Sequence, residues 1–198
     1  ARLVTQVKDK KNTQEKIQLT SQELERNFET SVSLARGNVV ATGRSAILYA
    51  NSAEFLETQE LVLSEDSPRI FSDSDVFLAH KIQWDLAKNT SDFRGNVRAY
   101  FSRPDNDDRR KRPVESAVRA EEGTLQKDDS LPFGQKLTLR RRVSLDRKTY
   151  SAYSDAAEVF GQGAELVRAS DNVTLINREE NTRSYGDTFE WTKATCAM

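Results

Sequence analysis

The sequence predicts an all-β protein, an antiparallel jelly roll or flattened barrel built from repeating two-strand units of about 29 residues over its 198-residue length. Three observations lead there. Apolar residues alternate with polar ones over short runs. Turn-forming clusters recur at a fixed spacing. The apolar content is too low for strands buried on both faces.

The alternation pairs Val32 with Leu34, Leu61 with Leu63, Ile82 with Trp84, Val97 with Ala99 and Leu137 with Leu139. A period of two gives one apolar and one polar face. Val, Ile, Thr, Phe and Tyr spread through the chain suit a half-buried pleated surface. The best helix candidate, Thr13 to Phe28, carries Ile17, Leu19 and Leu24 at a spacing that serves a strand pair equally well.

Turn-type clusters interrupt the runs at Arg36-Gly37-Asn38, Glu65-Asp66-Ser67-Pro68, Arg94-Gly95-Asn96 and Ser170-Asp171-Asn172. Asn38-Val39, Ser67-Pro68 and Asn96-Val97 follow one another at 29 residues, and Arg142-Val143 and Asn172-Val173 lie 30 apart. The gap from Asn96 to Arg142 is 46, one unit plus about 17 residues. An aromatic series runs alongside: Phe55 to Trp84 and Phe160 to Phe189 are each 29 residues. A repeat of this length holds two strands and their connections, and about six such units give a dozen strands or more. One hairpin cannot bury its own apolar face, so the units stack and the sheet folds on itself.

The extra residues fall at 103–113, Arg-Pro-Asp-Asn-Asp-Asp-Arg-Arg-Lys-Arg-Pro, which reads as a solvated loop between strands. Further slack lies near Ser130 to Gly134. The repeat resumes beyond them, so residues 1–198 are expected to form a single domain.

Composition narrows the function. Apolar residues make up 36%, about 40% with glycine, where globular domains run at about 45–50%; strands wet on one face account for the deficit. With 30 basic against 31 acidic residues, a polybasic nucleic-acid module is excluded. One cysteine, Cys196, and one histidine exclude an internal disulfide framework and the common zinc sites. No window approaches the roughly 18 apolar residues of a membrane helix, and no basic-then-apolar signal segment is visible. A soluble chain is therefore the expectation.

No catalytic set stands out. His80 has no nearby Ser, Cys or second His for a triad, and reads as an exposed strand residue. Asp73-Ser74-Asp75 and Asp105 to Asp108 lack the Gly and distant Glu of a calcium loop, so they read as solvated turns. Glu54 and Glu158 could pair as glycosidase acids, but an acid recurring in each unit fits a unique catalytic site poorly. Arg109 to Arg112 could grip lipid phosphates or nucleic acid, though Asp105, Asp107 and Asp108 largely cancel them. No metal and no cofactor is expected.

Several segments together resemble a known family. Ile17 to Glu25, then Ala35-Arg36-Gly37-Asn38-Val39-Val40, then Ala53-Glu54-Phe55 are similar to the opening of LptA/OstA-type lipopolysaccharide-transport proteins. Arg94-Gly95-Asn96-Val97 matches a second Gly-Asn-Val, and Asp171-Asn172-Val173 a weaker later one. Gln22 stands where the family usually has Asp, and Arg141-Arg142-Val143 replaces a Gly-Asn-Val. Their joint spacing carries the resemblance, which spans most of residues 15 to 191.

The resemblance implies a twisted β-jelly roll shaped as a V-shaped, open-ended trough. It implies a periplasmic, non-enzymatic carrier that binds lipopolysaccharide acyl chains in an apolar groove. Partners would be LptC-like and LptD-like proteins joined by edge-strand pairing, with copies stacking head to tail and no nucleic acid. Ile47, Phe55, Leu63, Ile82, Trp84, Phe93, Val97, Leu139, Val173 and Phe189 are the candidate lumen residues. Two alternatives remain: an LptC-like anchored ectodomain of the same pathway, and a structural surface protein in which these residues fill a solid core.

Overall fold

Each run of alternating apolar residues becomes a strand, and most strands pair with their neighbours in sequence. The computed structural model describes residues 1–8, 14–43, 46–102 and 114–193. The charged segment 103–113 and Cys196 lie outside them. Fifteen strands form one antiparallel sheet. The N-terminal strands are β1 (Arg2–Lys8), β2 (Gln14–Thr20), β3 (Glu23–Asn27), β4 (Val32–Thr42) and β5 (Ile47–Leu56). Four short strands follow: β6 (Leu61–Ser64), β7 (Arg69–Ser72), β8 (Asp75–Leu78) and β9 (Lys81–Asp85). Six long ones complete the sheet: β10 (Thr90–Ser102), β11 (Val114–Lys127), β12 (Gln135–Arg147), β13 (Tyr150–Phe160), β14 (Leu166–Asn177) and β15 (Thr182–Thr192). The stretch weighed as a helix is β2 and β3, apart from Thr13, which lies outside the described residues.

The recurring clusters are not the turns between strands. They are corners inside them. In β4, Arg36 pairs with Ser52 and Val39 with Ala50, so Gly37 and Asn38 lie opposite Asn51 alone. Gly95 and Asn96 of β10 oppose Glu121 in the same way. Arg141 and Arg142 of β12 oppose Asp155, and Asp171 and Asn172 of β14 oppose Asp187. Two residues against one make a bulge that bends the strand and increases its twist. Both members of each pair have positive φ, from 72° at Gly37 and 50° at Asn38 to 64° and 53° at Arg141 and Arg142. Asp66 and Ser67 do the same between β6 and β7. Glycine, asparagine and aspartate tolerate that region best, which explains the composition of the clusters.

The hairpin connections lie elsewhere in the repeat. Ser31, Glu60 and Asn89 each take positive φ in such a connection, spaced by the same 29 residues. Asn27 caps one of them by accepting hydrogen bonds from the N–H groups of Glu29 and Thr30, and Asn177 does so for Glu179 and Glu180.

The corners divide the sheet into two leaves. The first contains β1, β2, β7, β8 and segments such as 39–42, 47–50, 97–102 and 143–147. The second contains β3, β6, β9 and segments such as 32–36, 52–56, 90–94 and 135–140. Their apolar faces meet in one continuous buried cluster. Phe77 of the first leaf stacks on Phe93 of the second at 5.7 Å and meets Phe101 edge-on at 6.1 Å. Trp84 of the second leaf reaches the first at Gly43, where a Cβ would lie 2.9 Å from its ring. Large side chains buried this way contribute about 1.5–3 kcal/mol each.

The corner backbone should dominate local stability. A Cβ on Gly95, at φ 74°, would lie 2.9 Å from His80 Nδ1. Gly95→Ala should therefore cost about 1–2 kcal/mol. Arg141 is strained without compensation, because its ion pair to Glu122 at 3.0 Å is exposed and contributes little. Arg141→Gly should gain roughly 0.5–1 kcal/mol. Urea titrations followed by tryptophan fluorescence check both signs.

Candidate functional site

The apolar space between the leaves is the candidate site. Phe55, Ile82, Trp84, Phe93, Val97, Leu139 and Val173 all lie in the buried cluster between them. Phe189 is half-buried, packs against that cluster and meets the Tyr150 ring edge-on at 5.8 Å. Ile47 and Leu63 do not join the others. Leu63 pairs across the sheet with Glu54 and Gln83, on the outer face, while Val62 points inward between Phe55 and Trp84. Ile47 pairs with Phe71 on the outer face as well.

The corner explains Ile47. Counting back from Phe55 by twos reaches Ala53, Asn51, Tyr49 and Ile47. At the corner, however, Asn51 alone spans what Gly37 and Asn38 span on β4, so the inward set moves to Leu48. Single-residue slips exchange the faces of a strand. The interior also includes residues that sequence reasoning did not single out, among them Phe77, Phe101, Ile70 and Leu48, each fully buried. Phe77 and Ile70 sit in strands of four residues, too short for alternation to be seen.

The interior is filled by its own side chains. The gap enclosed by Leu3, Ile17, Leu19, Ala41, Phe55 and Val62 amounts to about 10 Å3. Larger spaces lie outside the packed cluster. An outer groove of about 1,100 Å3 includes Ile47, Tyr49, Phe71, Val76 and Tyr100. A second recess, of about 850 Å3, opens at the C-terminal end among β11 to β15, and its Tyr150 and Trp191 pack on the core.

Along one long side the leaves are continuous through the corners. On the other they meet at a seam of polar contacts. Asp73 in the β7–β8 turn accepts from Lys127 Nζ at 3.0 Å and from Gln162 Nε2 at 2.9 Å. Lys193 lies 3.5 Å from both Glu115 and Glu165, and the Arg147 guanidinium sits 3.4 Å above the Trp191 ring.

Asp75 is the deepest member of this seam, and nothing in the local sequence marks it. Read as part of a solvated turn, it is fully buried. The β7–β8 turn presses it against the second leaf, where Gln135 Nε2 donates to it at 3.1 Å and the Gly163 N–H at 3.2 Å. Ser74 Oγ donates at 3.3 Å. Burial raises its carboxyl to about 6, against these opposing hydrogen bonds from Gly163, Gln135, Ser102 and Ser74. Gln135 Oε1 is buried and has no hydrogen-bond partner among the described residues.

The remaining candidates are ordinary surface. His80 is exposed as expected, but it sits at the break between β8 and β9, where its N–H donates to Gly95 O at 2.8 Å. Glu158 pairs with Lys136 at 3.3 Å, and Glu54 shares its outer face with Leu63. Among the described residues no cluster of three or more His, Cys, Asp or Glu could hold a metal ion. Nor, among those residues, is any helix long and apolar enough to cross a membrane.

Two leaves of one antiparallel meander, joined along corners and closed over a shared apolar face, define a twisted β-jelly roll. Neither a protein-family model nor a curated relative matches the sequence. Among solved structures the chain is similar to LptH of Pseudomonas aeruginosa, the LptA-homologous periplasmic component of the lipopolysaccharide transport device. The TM-score is 0.52 with 14% identity, over 72% of this chain and 99% of that one. At that identity the likeness establishes the fold.

The buried carboxyl fixes a pH dependence. Asp75 holds its proton to about 6 in the folded state against 3.8 for the free group. The folded state therefore binds more protons between about 4 and 6, and this group's contribution to stability falls as pH rises through that window. The loss is about 3 kcal/mol at most. The difference in urea midpoint between wild type and Asp75→Asn, measured at pH 4.5 and 7.5, should favour the wild type more at the lower value.

Proposed function

We propose that the protein is a non-enzymatic periplasmic carrier that binds lipopolysaccharide acyl chains between its leaves and passes them from inner to outer membrane. Residues 1–198 act as one jelly-roll unit. The observation that carries this reading is the asymmetry of the two long sides. One is covalently continuous through the corners, and the other is closed by separate polar contacts. An acyl chain can enter by parting the polar side without breaking the sheet. Each CH₂ it buries contributes roughly 0.8 kcal/mol, so a chain of a dozen carbons outweighs several exposed polar contacts. The LptH likeness supports this assignment.

Directional movement needs copies in line. The strand path begins at β1 and ends at β15, each paired on one side only among the described residues. β15 is exposed along most of its length, so its free edge is open to a further strand. Head-to-tail copies, with LptC-like and LptD-like proteins at the ends, would extend the apolar path. An LptC-like ectodomain would do the same work from an inner-membrane anchor.

The filled interior favours a second reading, a structural surface protein whose core admits nothing. Photo-crosslinking separates the two. With a benzophenone side chain at 84 or 83, purified lipopolysaccharide should label the buried position 84 strongly and the exposed position 83 weakly. Equal or absent labelling in folded protein would leave the structural reading standing.

Edge pairing is tested separately. Successive N–H groups of a strand point to opposite sides, so of Ser184→Pro and Tyr185→Pro one removes an outward donor. That variant should shift sedimentation toward monomer by about tenfold in concentration while keeping its urea midpoint, and the other should lose stability.

A further inference from the structure

The recess at the C-terminal end has a chemistry that acyl binding does not require. Its wall is aromatic, formed by Tyr150 and Trp191, and both rings pack on the core cluster. Its rim carries Arg147, Lys148, Arg178 and Lys193. Two of these cations are already matched. Arg178 pairs with Asp146 at 2.8 Å, and Lys193 lies between Glu115 and Glu165. The other two are not. Arg147 donates to Ser116 Oγ and lies over Trp191, and Lys148 is exposed at the β12–β13 turn; neither meets a carboxylate among the described residues.

A polar atom is also left unused there. Tyr150 Oη is buried and makes no hydrogen bond among the described residues. Burial raises the phenol above its ordinary value, while the charge and hydrogen-bonding reach of the nearby Arg147 guanidinium oppose that rise. The recess thus offers an apolar wall continuous with the interior and two unmatched cations at one opening, with the Tyr150 hydroxyl buried in its wall. Guanidinium and ammonium groups together suit a phosphate.

We infer that this mouth binds the phosphate group of an amphiphile, on Arg147 and Lys148, while the acyl chain runs inward past Trp191. The inference rests on the carrier reading and deepens it, placing the charged head at the β15 end. Binding there would orient the lipid before it passes to whatever pairs with that edge.

Calorimetry on the full chain tests it with three probes, each below its micelle-forming concentration where one applies: dodecyl phosphate, dodecyl maltoside and inorganic phosphate. Dodecyl phosphate should bind about tenfold tighter than the maltoside. Lys148→Glu, at an exposed turn where folding is not at stake, should remove that preference and leave maltoside binding unchanged. Arg147→Gln should do the same if its loss from Trp191 is tolerated. Maltoside binding with no phosphate preference, or a preference that survives Lys148→Glu, would overturn the headgroup site and leave the carrier reading intact. Inorganic phosphate bound as tightly as dodecyl phosphate would overturn the lipid assignment in favour of a free-anion site. Failure of both amphiphiles to bind would overturn the carrier reading and this site with it.

Discussion

A pair of left-handed residues set opposite a single partner is the constraint on which this fold depends. Without it, strands of eleven to fourteen residues, such as β4 and β11, would run straight and present one wide sheet to solvent. With it, every long strand bends at the same level, and its two halves turn their apolar faces toward each other. The bend also sets the chemistry of the corner. Gln22 and His80 occupy equivalent places beside Gly37 and Gly95, each donating its N–H to the glycine carbonyl of the neighbouring strand. The glycines are held twice, by positive φ and by a side chain lying over them.

Two kinds of closure follow from that bend, and they differ in strength. The corner side is chain, and cannot part while the sheet exists. The opposite side depends on Asp73, Asp75, Lys193 and Arg147 finding partners across a gap. Most of those contacts are partly exposed and individually weak. Asp75 is the exception, because it is fully buried and held by donors from Gln135 and Gly163 across the seam. The interior between the two sides is tightly filled, so any guest has to displace contacts such as the stack of Phe77 on Phe93.

Much of this was legible in the residues. Alternation gave strands, and the fixed interval of Asn38, Ser67 and Asn96 gave a repeat of two. What the interval marked was misread, because Gly-Asn favours a positive-φ bulge as readily as a hairpin turn. That error carried into Ile47, whose face depends on how many residues a corner consumes. Leu63 was misplaced for a simpler reason: leucine is as common on a covered outer face as inside, and only the pairing of Val62 with Trp84 separates the two. Asp75 could not be read at all. Its burial comes from Gln135 and Gly163, sixty and eighty-eight residues away.

The strand path bears on how such a molecule acquires its size. Most pairings, eleven of fifteen among the described residues, are between sequence neighbours, and the main path from β1 to β15 runs in chain order. A hairpin of one repeat could be inserted or lost at any corner-to-corner step without re-routing the chain. Each would change the length of the molecule by two inter-strand spacings, about 10 Å. The distance spanned is therefore a count of repeats, adjustable by duplication in the gene rather than by redesign of the core.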